Sequence, residues 1–129
     1  MKLIIVEGCD RVGKNLLCDE LYKMATLKNS NVTYRHWRFP LGETNADKIM
    51  YQKMSFQKEF TLFREMNIDS YYAGRGNDLM VWNRAHIGEY VYGTIYRNYE
   101  PDWIYNLEIL HNFDENPEIY LILLDADAE

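Results

Sequence analysis

The chain is short of the residues that mark several classes of protein. Two cysteines, Cys9 and Cys18, are too few for a disulfide scaffold. No N-terminal stretch joins a charged start to a long apolar run, and the longest apolar segments, such as Ile119 to Leu124, are strand-sized. These absences predict a soluble protein of a reducing, cytoplasmic compartment with no membrane role. Cations are outnumbered too: 14 Lys and Arg stand against 20 Asp and Glu, for a formal charge of −6 and a pI of about 5.1. Such a surface has no net attraction for duplex phosphates, so no nucleic-acid partner is expected. A few arginines can still hold a small anion inside an acidic protein, and the cations are therefore read for local clustering.

What is present is enough apolar material, 47% of 129 residues, for one packed core, and no repeat, low-complexity tract or linker interrupts it. A single domain over residues 1–129 is expected. Leu3 to Val6 is a continuous, largely β-branched run ending at Gly8, the pattern of a buried parallel strand. From Lys14 the spacing turns helical, with Leu17, Leu21 and Met24 on one stripe. Val32 to Phe39, stopped by Pro40, reads as a second strand. Residues 45–72 return to helical spacing, as one long helix or two shorter ones, with Phe56, Phe60 and Phe63 in a stripe. Leu79 to Trp82 is a third strand, His86 to Tyr96 and Trp103 to Phe113 are helices around Pro101, and Ile119 to Leu124 is a fourth strand. Alternating strands and helices predict an α/β fold with a central parallel sheet flanked by helices in three layers.

Gly8-Cys9-Asp10-Arg11-Val12-Gly13-Lys14 matches G-x-x-x-x-G-K between a strand and a helix, the context in which that pattern cradles phosphate. Glycines let backbone N–H groups curl around phosphate oxygens, the helix N-terminus adds positive charge, and the Lys14 ammonium reaches the outer phosphates. The competing reading is a glycine-bounded βα turn that happens to carry a lysine. The pattern ordinarily ends in Ser or Thr, whose hydroxyl ligates Mg²⁺; here Asn15 and Leu16 follow. The Asn15 amide oxygen, directly or through water, is the remaining candidate ligand.

The run Glu7-Gly8-Cys9-Asp10-Arg11-Val12-Gly13-Lys14 resembles the loop of the thymidylate kinases, P-loop nucleoside-monophosphate kinases whose Glu-Gly is followed by Asp-Arg before Gly-Lys. Three further likenesses follow in family order: Arg38-Phe39-Pro40 after the second strand, Phe60 with Arg64, and Asn83-Arg84 after the third strand. The resemblance covers essentially the whole chain. It implies a P-loop NTPase-type fold that stops short of the family's lid and last strand, with ATP and Mg²⁺ as cofactors, nucleotides as small-molecule partners, and a homodimer. It also implies roles. Residues 8–15, Gly8, Cys9, Asp10, Arg11, Val12, Gly13, Lys14 and Asn15, would hold the ATP phosphates. Asp10 would contact the 3′-hydroxyl of the acceptor and Arg11 the phosphoryl group in flight. Arg38 and Phe39 would border the acceptor, Arg84 would hold its phosphate, Phe60 would stack on its base, and Arg64 would donate to the base or the phosphate. The catalytic set is then Lys14, Arg11 and Arg84.

Residue patterns alone leave competing readings beside these. The stripe of Phe56, Phe60 and Phe63 equally describes core, and Tyr90, Tyr92, Tyr96 and Tyr99 fit aromatic packing as well as a pocket wall. His36 and His86 lack a second ligand at metal spacing and read as structural or exposed. The chain departs from the family at Asn15, at Asn83 where a carboxylate is expected, at Gly42 where an arginine is expected, and in its length. The expected reaction is transfer of the ATP γ-phosphoryl to a deoxynucleoside monophosphate, dTMP first. The alternatives are a nucleotide-binding protein with impaired turnover and, third, a deoxynucleoside kinase using Glu7 as base. No Asn-Lys-x-Asp guanine signature is present.

Overall fold

The computed structural model describes residues 1–8, 13–28, 30–37 and 40–124. Four strands, β1 (Lys2–Gly8), β2 (Val32–His36), β3 (Leu79–Asn83) and β4 (Ile119–Leu124), form one sheet in the order β2-β3-β1-β4. Every pairing is parallel, with Val6 opposite Asn83 and Ile122, and His36 also opposite Asn83. The chain leaves β1 through helix α1 (Lys14–Leu27) to the far side of β3, and returns from β3 through α3 (His86–Tyr96) and α4 (Trp103–Leu110) to the other side of β1. In open α/β sheets such a reversal of strand order opens a crevice at the carboxyl ends of the central strands.

Alternation along the strands decides which layer each side chain joins. Leu3, Ile5, Met80 and Trp82 face helix α2 (Asn45–Tyr72), where Phe56, Phe60 and Phe63 complete the larger core with Leu107 and Phe113. Val6 and Val81 face α1 and close over Cys18. The segment 45–72 is one helix, begun by a reciprocal capping box: Asp47 N–H donates to Thr44 Oγ1 at 3.1 Å while Thr44 N–H donates to Asp47 Oδ2 at 3.3 Å. Gly42 precedes it with φ 145°, and a Cβ there would stand 2.6 Å from the Asp47 Cβ. The family's arginine at this position is therefore sterically excluded.

Two details differ from the sequence expectation. Met24 is 55% exposed, and Cys18, wholly buried, supplies the inner contact of α1 instead. The predicted helix 103–113 ends at Leu110, because Asn112 turns into the left-handed region and starts a separate 3-10 turn, Phe113–Glu115. Strand β4 lies at the sheet edge, which leaves Leu121 and Leu123 largely exposed despite their apolar sequence. Among the described residues no helix is long and apolar enough to cross a membrane.

Candidate nucleotide site

The end of β1 and the start of α1 form an anion-receptive corner. Gly13, in the left-handed conformation at φ 88°, is the N-cap of α1. This helix has no side-chain cap and no acidic residue in its first turn, in contrast to α2. A helix start of this kind, with N–H groups and the positive dipole end uncapped by any described side chain, is suited to an anion. Lys14 is buried at 6% exposure, and its Nζ donates to the Gly8 carbonyl at 2.9 Å, joining the start of α1 to the end of β1. Residues Cys9, Asp10, Arg11 and Val12 lie outside the described residues, as do Arg38 and Phe39, so their expected roles are not placed.

The neighbouring strand brings the second cation. Arg84, directly after β3, holds φ 65°, a conformation that costs a non-glycine residue energy and persists only when its surroundings impose it. Its N–H donates to the Val6 carbonyl at 2.9 Å, which locks the strained turn onto β1. Glu7 sits between the two cations. Burial pushes its carboxyl above the usual carboxylate range, opposed by N–H donation from Ala85 and Gly88 and by the charges of Arg84 and Lys14. Glu7 Oε1 accepts Ala85 N–H at 2.6 Å and Gly88 N–H at 3.1 Å, so this carboxylate serves as the N-terminal cap of α3. A general-base role for Glu7 is not what its hydrogen bonds serve.

Beside Arg84 opens a cavity of about 470 Å³ between α2 and α3, walled by Trp37, Phe56, Tyr92 and Tyr96. Trp37 and Phe56 lie 4.6 Å apart between ring centroids, and Tyr92 and Tyr96 stack at 6.0 Å. Its polar lining includes Lys48, Gln52, Glu89 and Arg97. Glu89, 3% exposed, accepts from Arg97 Nε and Nη2, from Gln52 Nε2 at 3.2 Å and from Tyr99 Oη at 2.9 Å. Burial, with Glu89 beside it, pushes the Tyr99 phenol up to about 12.

Two expected site residues are corrected. Phe60, expected to stack on a base, is fully buried between Trp82, His86 and Phe113 and does not line the cavity. Phe56, one turn earlier, lines it instead, because α2 turns that face toward Trp37 and the pocket. Arg64 is exposed and lies within electrostatic reach of His111, away from the cavity lining. Sequence reading also missed Trp37, Gln52, Glu89 and Arg97. The spacing of Glu89, Gly93 and Arg97 along one face of α3, with a glycine in mid-helix, was the available signal. His86 is structural: it is wholly buried, with its Nε2 2.6 Å from Glu108 Oε1.

Mg²⁺, implied by the resemblance, does not fit the residues that stand in its place. Asn83 Nδ2 donates to Asn15 Oδ1 at 2.6 Å and to the Tyr34 hydroxyl at 2.9 Å, so the Asn15 oxygen expected as a ligand already accepts an N–H. Asn83 Oδ1 is buried, with no hydrogen-bond partner among the described residues. Among the described residues no group of three His, Cys, Asp or Glu side chains gathers as a metal site.

A parallel sheet between helix layers, with a helix after a central strand and a cleft at the strand ends, is a three-layer α/β fold. No family model and no curated protein matches the chain. Among solved structures, the chain is similar to the YorR protein of Bacillus subtilis, determined in complex with phosphorylated GDP, at a TM-score of 0.54 and 16% identity over 97% of this chain. The match spans 60% of the length of that protein. The likeness is one of fold.

Proposed function

We propose that this chain binds a nucleoside polyphosphate at Gly8–Lys14 and a nucleoside monophosphate in the cavity beside Arg84, and transfers a phosphoryl group between them. ATP is the donor and a deoxynucleoside monophosphate the acceptor, with dTMP favoured by the sequence resemblance to thymidylate kinases. One observation carries this reading: Glu7, near the end of β1, feels the charges of both Lys14, at the start of α1, and Arg84, directly after the adjacent strand β3, and Arg84 also lines a pocket sized for a nucleoside. The ligand in the YorR complex, phosphorylated GDP, supports nucleotides as the ligand class.

The chemistry asks mainly for charge and position. A loose phosphoryl transition state spreads negative charge over equatorial oxygens, and a guanidinium fork answers it with paired hydrogen bonds. Arg84 holds the acceptor phosphate, and Lys14, released from the Gly8 carbonyl, meets the donor phosphates. Arg11 is the further cation that the resemblance implies. Trp37 and Phe56, packed on one another, form one wall against the base, replacing the role first expected of Phe60. A coupled ADP-release assay with dTMP, dCMP, dGMP and dUMP tests the transfer; a folded sample that releases no ADP with any acceptor removes it. The Asn15–Asn83 hydrogen bond favours a second reading, nucleotide binding without turnover. Calorimetric binding of ATP with no ADP release separates the two.

A further inference from the structure

In P-loop proteins Mg²⁺ takes its protein oxygens from a hydroxyl after the loop lysine and from a carboxylate on a neighbouring strand. The corresponding places hold Asn15, next to Lys14, and Asn83, last residue of β3, and their side chains are joined at 2.6 Å. The donated N–H puts partial positive charge where a cation would approach the Asn15 oxygen. Neither amide has the negative charge with which carboxylates hold this strongly hydrated ion. Tyr34 fixes Asn83 from the other side at 2.9 Å, and the leftover Asn83 oxygen is wholly buried. Positive charge at this corner is built in, as the buried Lys14 and the adjacent Arg84, while the carboxyl of Glu7 between them is pushed toward its neutral form by burial.

We propose that the phosphate loop takes its polyphosphate as the free anion, without Mg²⁺. The inference rests on the reading that Gly8–Lys14 binds a polyphosphate, and adds the charge state of that ligand. The free triphosphate is more negative than its magnesium complex by the charge of the ion, so a corner that offers two cations and an amide pair attracts it more strongly.

Calorimetric titration of ATP into the full chain, once in EDTA and once in millimolar Mg²⁺, tests it. The expected result is an affinity in EDTA equal to or higher than that in Mg²⁺. Binding reproducibly tighter in Mg²⁺ than in EDTA overturns the inference and leaves the polyphosphate reading intact. A folded sample that binds under neither condition overturns both. The double variant Asn15→Thr with Asn83→Asp restores hydroxyl and carboxylate, and is expected to gain a Mg²⁺ preference of about tenfold or more. A folded double variant with the Mg²⁺ response of the parent overturns the assignment to the amide pair.

Discussion

Glu7, on the central strand, accepts the Ala85 N–H at 2.6 Å and so joins the end of β1 to the start of α3, immediately after the strained Arg84. A buried acid thereby holds the turn that carries Arg84. The cost of that arrangement is electrostatic, since burial disfavours the ionised form.

That cost has a pH signature. The folded-state pKa of Glu7 is raised, so the folded chain keeps a proton that the unfolded chain releases, and stability falls as pH rises through the interval between the two values. Glu7→Gln keeps a carbonyl oxygen for the Ala85 and Gly88 N–H groups and removes the charge. The variant is expected to match the parent in acid and to exceed it increasingly as pH rises through that interval. Thermal melts of both proteins from about pH 4 to about pH 8 check this; parallel profiles would remove the assignment.

Arg84 sets function against stability. At φ 65° a glycine is unstrained, so Arg84→Gly is expected to raise stability by about 1 kcal/mol while weakening monophosphate binding at least about tenfold. Denaturant unfolding and monophosphate titration on the same sample read both effects. A destabilised variant would mean that the arginine side chain contributes more to the fold than its backbone strain costs.

Gly93 lies against the buried Glu89 network. A Cβ at this position would stand 2.8 Å from Glu89 Oε1 and 2.8 Å from the Tyr99 ring, in a helix whose backbone otherwise accepts alanine. Gly93→Ala is therefore expected to destabilise by about 1–3 kcal/mol through overpacking, despite the better helix propensity of alanine. Chemical denaturation measures it; a neutral or stabilised variant would show that the network shifts without cost.

Phe60 and Phe56 separate core from pocket. Phe60→Leu is expected to cost about 1 kcal/mol of stability and leave nucleotide affinity unchanged, because its ring touches only core neighbours. Phe56→Leu removes a pocket wall beside Trp37, and is expected to weaken monophosphate binding as well. Equal loss of affinity in both variants would return Phe60 to the site.

Much of the frame was legible in the residues because it rests on local patterns. Leu3 to Val6 and Leu79 to Trp82 are apolar without interruption, as strands covered on both faces must be, and the helices 14–27, 45–72 and 86–96 begin and end close to where spacing, glycine and proline put them. The passage from β1 to α1 was legible for the same reason, since Gly8 ends the strand and Gly13 starts the helix within a few residues. The pocket was not. Which of Phe56 and Phe60 faces a cavity depends on the rotation of α2 against the sheet, and a stripe of phenylalanines carries no mark of it.

The order of strands and helices, the uncapped glycine start of α1, and the absence of a hydroxyl after Lys14 are properties of neighbouring residues, and the sequence by itself determined them. Contacts across long separations were decided only by the tertiary structure: Asn83 on Asn15, Glu7 beneath Ala85, and Gln52 on Glu89. The physical reason is that a hydrogen bond between distant residues depends on strand register and helix rotation together. The packing of the whole core fixes both, and no single segment encodes them.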